Sequence, residues 1–204
     1  MIYYITTHML VSILFARTFG GTDYDYAQSI VRTTDGGYAV AGYTYSFGAG
    51  DCDFLVLKLN SSGALQWART FGGTGWDEAL SIVQTTDGGF AVAGWIGSFG
   101  AGDYDFLVLK LNSSGGLQWA RTFGGTDYDR AWSIVQTTDG GFAVAGWTVS
   151  FGAGGEDFLV LKLGPDGSYP GCVVDCSPTV GTPSPSTSSP SLSTSSPSVG
   201  ADCS

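Results

Sequence analysis

Histidine, basic residues and charge are all scarce in this sequence, and these shortages exclude several functions. Of 204 residues, one is His, eight are Lys or Arg and 18 are Asp or Glu, so the formal net charge is −10. A chain this acidic repels polyanions, so neither nucleic acid nor an anionic membrane is expected as a partner. With His8 as the single imidazole, neither a zinc site nor a Ser-His-Asp triad is expected, and we predict no metal and no cofactor.

Cysteine is also scarce, and most of it lies near the C-terminus. Cys52 is isolated, whereas Cys172, Cys176 and Cys203 fall in the last part of the chain. Cys172 and Cys176 are a candidate disulfide, although four cysteines allow three complete pairings and the spacing does not choose among them. Glycine motifs that bind phosphate or a dinucleotide at the start of a helix are missing as well, so no catalytic residue is predicted.

The apolar N-terminal segment, residues 1–12, is too short to cross a bilayer. No Lys or Arg precedes its apolar part, so it is also a poor signal peptide. We expect no membrane insertion in the region that follows.

Glycine and aromatic residues are abundant, and both recur in a repeat. The chain has 32 glycines, and 14% of its residues are aromatic. The hexapeptide ARTFGG occurs three times, with its arginines at Arg17, Arg69 and Arg121, so each interval is 52 residues. Repeats of this length are typical of solenoids, propellers and other arrays.

Each copy contains four short apolar runs that predict β-strands rich in Val, Ile, Leu, Phe, Trp and Thr. In the second copy these runs are Ser81–Thr85, Phe90–Trp95, Phe106–Leu111 and Leu117–Phe123. The sequence DGG at 87–89 predicts a tight hairpin turn and NSSG at 112–115 predicts another, so each copy forms a four-stranded antiparallel meander. The nearly unbroken apolar run FLVLKL indicates that both faces of the sheet are covered, which stacking one copy on the next achieves.

The repeat resembles a family of β-propeller repeats found in secreted and cell-surface bacterial and archaeal proteins. The residues that carry the resemblance are WARTFGG, TTDGGFAVAG and SFGAGDYDFLVLKLNSSG, within residues 13–163. The resemblance implies an all-β propeller with four-stranded blades and a location outside the cell, and the family carries no common catalytic motif. A linear β-solenoid is the alternative fold.

The chain holds three blades, which is fewer than the four to eight of most propellers. Residues 13–19 match the fourth strand of a blade, and the third copy lacks its own fourth strand after Leu163. Two interpretations follow: two chains form a six-bladed ring in which each N-terminal strand completes the partner's third blade, or the chain is a truncated part of a longer array. We expect residues 164–176 to be a linker and the Ser/Thr/Pro-rich residues 177–204 to be a disordered tail.

The longer loops of the meander share one end, and they carry most of the acidic residues and most of the differences between copies. Twelve of the 18 acids lie there, beside aromatic residues that suit sugars or peptides. The alternative is that the aspartates cap turns, above all Asp25, Asp77 and Asp129 and the set Asp53, Asp105 and Asp157. The candidate ligand-binding residues are Asp23, Tyr24, Asp25, Trp76, Asp77, Glu78, Tyr104, Asp127, Tyr128 and Asp129.

These observations favour a non-catalytic secreted or cell-surface module that binds or adheres through its loops to a glycan or a protein. One alternative is a purely structural array with no ligand. Another is a glycoside-active enzyme, for which the sequence singles out no carboxylate pair. Asn60 and Asn112 lie in N-x-S sequons and are candidate glycosylation sites. The arginines of the ARTFGG motif are expected to stack on neighbouring aromatic rings or to form a buried pair with a loop aspartate, rather than to bind a ligand.

Overall fold

The computed structural model describes residues 15–169 and, beyond them, the backbone of three short strands. All regular structure in these residues is β-strand, and within them no helix is long and apolar enough to cross a membrane. The strands are β1 (Thr18–Gly20), β2 (Asp25–Arg32), β3 (Tyr38–Thr44), β4 (Asp53–Leu59), β5 (Leu65–Gly72), β6 (Asp77–Gln84), β7 (Phe90–Ile96), β8 (Asp105–Leu111), β9 (Leu117–Gly124), β10 (Asp129–Gln136), β11 (Phe142–Thr148), β12 (Asp157–Leu163), β13 (Thr179–Gly181), β14 (Ser186–Ser188) and β15 (Ser193–Ser195).

The three sequence copies form three antiparallel sheets in the order of the chain. Sheet 1 contains β2–β5, sheet 2 contains β6–β9, and sheet 3 contains β10–β12. The all-β fold and the predicted meander are confirmed, with one difference in the first strand of each copy. β6 begins at Asp77, whereas the sequence predicted a start at Ser81. A bulge between Ala79 and Ser81 shifts the register, so the first residues of the strand do not follow the alternation of apolar and polar residues that marks a strand.

The predicted DGG hairpins connect the first two strands of each sheet. In sheet 2, Asp87 accepts hydrogen bonds from the backbone N–H of Gly89 at 2.9 Å and from the hydroxyl of Thr85 at 2.5 Å. Lys110 lies beneath the turn, and its ammonium group is 2.8 Å from Asp87 Oδ2. These bonds lower the pKa of Asp87 to about 2 against the effect of burial, so this carboxylate stays ionised and fixes the turn.

Each sheet has two chemically different faces, and unlike faces meet. The aromatic face of sheet 1 contains Phe54, Val56 and Phe71, and it packs in one buried cluster with the leucine face of sheet 2, which contains Leu107, Leu109 and Leu111. The aromatic face of sheet 2 packs in the same way on the leucine face of sheet 3. Full burial of one such side chain stabilises the fold by about 1.5–3 kcal/mol. These contacts therefore hold the three sheets together; the contact of sheets 1 and 2 is called here the first junction, and that of sheets 2 and 3 the second junction.

The first strands of neighbouring sheets also bond to each other, with the same bonds at both junctions. The N–H of Ile82 donates to the hydroxyl of Ser29 at 3.3 Å, and the N–H of Ile134 donates to that of Ser81 at 3.2 Å. Likewise, the side-chain oxygens of Gln84 and Gln136 accept from backbone N–H groups of the preceding sheet at 2.8 and 2.9 Å. Sheet 2 is therefore placed on sheet 1 by the same set of hydrogen bonds that places sheet 3 on sheet 2.

Among the described strands, no pairing joins the two ends of the stack of sheets. β1, the strand that matches a fourth strand, pairs with β15 rather than with β12. Among the described strands, β12 pairs with β11 alone, so sheet 3 keeps three strands.

The tail contributes three backbone strands that its composition did not predict. β13 pairs with β9, β14 with β5 and β15 with β1, each antiparallel along the outer edge of a fourth-strand position. The rest of the predicted disordered tail, most of the linker with Cys172 and Cys176, and the N-terminal segment 1–12 lie outside the described residues.

Two turn glycines with the same backbone angle give a test of the packing between sheets. Gly88 and Gly115 both have φ near +80°, but a side chain at Gly88 meets open space, whereas one at Gly115 meets the ring of Trp67 from the preceding sheet. We expect Gly88→Ala to cost about 1–2 kcal/mol from backbone strain alone. Gly115→Ala is expected to cost at least about 1 kcal/mol more, from overpacking. Equal losses in urea unfolding would show that the Trp67 contact does not constrain the turn.

Candidate functional site

The long loops lie together at one end of the sheets, called here the loop end. Backbone contacts join loops of neighbouring sheets, because Cys52 bridges to Trp76 and Tyr104 bridges to Tyr128. The N–H of Asp77 donates to the carbonyl of Cys52 at 2.9 Å, and the equivalent bond from Asp129 to Tyr104 is 2.7 Å. The sheet junctions thus bring Tyr104 and Tyr128, two of the predicted site residues, into contact.

Three of the candidate carboxylates bond to the fold itself. Asp77 is fully buried and accepts from the N–H of Gly73 at 2.7 Å and from the hydroxyl of Ser98 at 2.7 Å. Asp129 is also buried and accepts from Gly125 N–H at 2.7 Å, while Asp25 accepts from Gly21 N–H at 2.8 Å. This geometry supports the interpretation that the three aspartates order the loops.

A second set of aspartates carries atoms that lack a partner. Asp53 and Asp105 are fully buried, and each accepts two backbone N–H bonds through Oδ2. Their Oδ1 atoms have no hydrogen-bond partner among the described residues. Burial, with a smaller contribution from the charge of the neighbouring aspartate, raises the pKa of both carboxyls to about 6, although the backbone N–H bonds act in the opposite direction.

The orphaned oxygens face the carboxylates of the next sheet across a glycine. A Cβ atom at Gly72 would overlap both Asp53 and Asp77, and one at Gly124 would overlap both Asp105 and Asp129. Two carboxyl groups therefore meet at each junction over a position that only glycine fits. Among the described residues, no group of three side chains is placed to bind a metal ion.

Three of the four aromatic candidates are exposed at the loop end, whereas Tyr104 is half-buried. Tyr24, Trp76 and Tyr128 are all exposed. Trp76 donates from its indole nitrogen to Asp51 at 3.1 Å, and the negative charge of Asp103, together with its hydrogen bond, raises the pKa of Tyr128. Aromatic surface and carboxylate oxygens thus lie side by side in solvent.

A cluster of aromatic rings surrounds the first junction. Tyr24 stacks on Tyr26 with centroids 6.2 Å apart, and Tyr26 lies 4.9 Å from Tyr43. Tyr45 contacts Tyr24 at 6.4 Å and Trp76 at 6.3 Å, which closes the group. We call these five residues the tyrosine cluster.

At the second junction an arginine occupies a box of aromatic rings. The guanidinium carbon of Arg130 is 4.5 Å from the ring centroid of Trp95, 4.9 Å from Tyr104 and 5.6 Å from Trp147. Its Nε has no hydrogen-bond partner among the described residues. Burial raises the pKa of the nearby Glu78, and the Arg130 charge acts in the opposite direction. This cation is held by ring faces.

The remaining candidates cap or flank turns. Asp23 and Asp127 each accept a bond from the next backbone N–H, at 2.8 and 3.0 Å. Asn60 and Asn112 cap the NSSG-type turns through their side-chain oxygens, and their glycosylation stays a prediction. The predicted stacking of arginine is confirmed at Arg69, whose guanidinium carbon is 5.9 Å from the Trp67 ring centroid.

Sequence reasoning missed most of the tyrosine cluster and two walls of the arginine box. Tyr26, Tyr43 and Tyr45 lie in or beside strands rather than in the variable loops, and Trp95 and Trp147 belong to second strands. The available signal was the sequence position that holds Tyr26, Glu78 and Arg130 in the three copies. The residue at this position varies among the three copies, and the side chains around it are where the two junctions differ from each other.

The two orphaned carboxyls predict how stability depends on pH. Their folded pKa of about 6 lies above the ordinary 3.8, so the folded state holds protons more tightly and the free energy of unfolding falls as pH rises from about 4 to about 6. Asp105→Asn is expected to flatten this fall by at most about 1.4 kcal/mol per pH unit, measured by urea unfolding at several pH values. Asp157→Asn, the equivalent half-buried position in sheet 3, is the control. An unchanged slope in Asp105→Asn would contradict the assignment.

No protein-family model matches the chain. The chain is similar to "Regulatory protein FlaEY" of Caulobacter vibrioides, with 29% identity over 134 residues. The match covers 58% of this chain and 14% of that protein, so the chain spans a small part of the relative's length. At this identity and coverage the similarity assigns no family, and function is argued from the loop end itself.

Proposed function

We propose that the chain is a non-catalytic β-propeller repeat module, secreted or held at the cell surface, that binds a glycan or a protein through its loop end. The propeller part is supported by sheets that pack face to face in chain order and whose first strands bond to each other at both junctions. A radial array of four-stranded units is built from such a repeated relation.

The binding part is carried by one observation, the exposure of Tyr24, Trp76 and Tyr128 at equivalent positions of the loop end. Exposed aromatic rings offer flat apolar surfaces to sugar rings or peptide side chains, and they are enriched at binding surfaces. The exposed carboxylates of Asp51 and Asp103 lie beside two of these rings and accept hydrogen bonds from donors. Sugar hydroxyls and peptide N–H groups are donors of that kind.

Catalysis is less well supported by the same geometry. The carboxyl pairs beside Gly72 and Gly124 are buried inside the junctions, where a substrate in solvent does not reach them. Asp25, Asp77 and Asp129 bond to loop donors of the chain. A glycosidase needs two carboxyl groups that both reach a substrate, so binding without turnover is the function that we propose.

The test is a glycan array together with a screen of surface-displayed proteins, each probed with the whole chain. We expect at least one ligand to bind, and we expect the double variant Trp76→Ala and Tyr128→Ala to bind it at least about tenfold more weakly, because truncation of an aromatic hot-spot residue costs about 2 kcal/mol or more.

The matched control is Leu117→Ala, which shortens an exposed apolar side chain away from the loop end. Unfolding curves of both variants separate lost binding from lost structure. If no ligand binds the folded wild-type chain, or if the double variant binds as the wild type does, the loop end has no such role and the chain is a structural array.

A further inference from the structure

The two ends of the stack of sheets expose the two kinds of face that are buried elsewhere. On the leucine face, Ile30 of sheet 1 is 64% exposed, whereas its equivalents Ile82 and Ile134 are 6% and 4% exposed. On the aromatic face, Phe158 of sheet 3 is 98% exposed, whereas its equivalents Phe54 and Phe106 are fully buried. Each end therefore presents a surface whose partner is known from the junctions inside the chain.

The leucine face of sheet 1 is partly covered by the N-terminal strand, in the position of a preceding sheet's fourth strand. The rings of Phe15 and Tyr38 have centroids 5.9 Å apart at 64°. The equivalent contacts at the two internal junctions, Trp67 with Phe90 and Trp119 with Phe142, are 5.7 Å at 67° and 5.6 Å at 69°. β1 thus lies on sheet 1 as β5 lies on sheet 2.

A groove beside β1 marks where the other strands of a preceding sheet would lie. Its volume is about 440 Å³, and Ile30, Val40, Gly42, Leu55 and Leu57 are among the residues that line it. At the second internal junction, the ring of Phe106 packs against the backbone of Gly146, the equivalent of Gly42. By this equivalence the groove fits a phenylalanine from the aromatic face of another sheet.

We propose that sheet 3 of one copy of the chain docks on sheet 1 of a second copy, with Phe158 entering the groove beside Gly42 and β1 of the second copy lying along β12 as its fourth strand. The register follows from the internal sheets, where Phe71 pairs with Phe54 and Phe123 with Phe106. Phe19 of the second copy is then opposite Phe158.

The polar groups at the two ends match this contact. The hydroxyl of Ser133 takes the role of Ser29 and Ser81 and accepts from the backbone N–H of Ile30 in the second copy. Where both internal junctions place a glutamine, Gln84 or Gln136, the terminal junction places Arg32, which has no acceptor atom for the backbone N–H that the glutamine oxygen binds. At the first internal junction, Gln84 and the turn aspartate of the preceding sheet, Asp35, line the same cavity, so by equivalence Arg32 and Asp139 line one cavity and bring opposite charges to it.

The contact joins two different surfaces, so it is heterologous. Two copies that close on each other form a ring of six sheets, which is within the usual range for propellers. Copies that do not close form open chains. The same pair of faces is used in both cases. The contact also does not depend on the ligand proposed for the loop end, because Trp76 and Tyr128 lie outside the exposed faces.

The experiment measures the mass of the whole chain in solution by sedimentation and light scattering over a wide concentration range. We expect the wild type to give twice the chain mass of 21.2 kDa or a larger multiple. Phe158→Asp and Ile30→Asp, each measured alone, are expected to give the mass of one chain, because a buried unpaired carboxylate opposes docking. Tyr128→Ser is the control and is expected to keep the wild-type mass.

Mixing the two aspartate variants tests the pairing of faces. The Phe158→Asp copy keeps a normal sheet 1 face and the Ile30→Asp copy keeps a normal sheet 3 face, so the mixture regains one junction and is expected to form a species of two chains. Both changed side chains are exposed in one chain, and circular dichroism checks that each variant folds. A folded wild type that stays at 21.2 kDa at every concentration, or a mixture that stays monomeric, would overturn the proposal.

Discussion

The packing of an aromatic face on a leucine face is the contact on which the rest of the structure depends. A single sheet would expose two apolar faces to water and would not be stable alone, since strands such as β8 are buried on both sides. Apolar burial at a junction fixes the distance and direction between sheets, and only then do the loops of neighbouring sheets meet. The positions of the loops at the loop end therefore depend on the core, and a substitution that alters the packing at a junction also shifts the loops on either side of it.

Much of the fold follows from local patterns in the sequence. Strands such as β7 and β8, and the DGG turns between strands, have strong short-range signals: unbroken apolar residues and glycines at positive φ. The start of each first strand had no such signal, because Asp77 and Glu78 look like loop residues until the bulge places them in the strand. Whether β1 pairs with β12 depends on how the sheets are placed relative to each other, and the number of repeats in the sequence does not give that placement.

The candidate site was less predictable, because its residues meet across junctions. The box around Arg130 draws on Trp95 and Tyr104 from the second copy and on Trp147 from the third copy. Identity between copies was the more useful signal for scaffold residues. Aspartates that recur in every copy bind backbone N–H groups at the loop end, whereas the varying position of Tyr26, Glu78 and Arg130 gives each junction its own chemistry.

The interchangeable junctions have an evolutionary consequence. Because the aromatic face of one copy packs on the leucine face of the next copy in the same way at both junctions, duplication of a whole 52-residue unit in the gene inserts a sheet whose two apolar faces already fit its neighbours. Loss of a unit by recombination is equally tolerated by the packing. The number of sheets in such a lineage can change in single steps, while selection at the loop end adjusts each added unit separately.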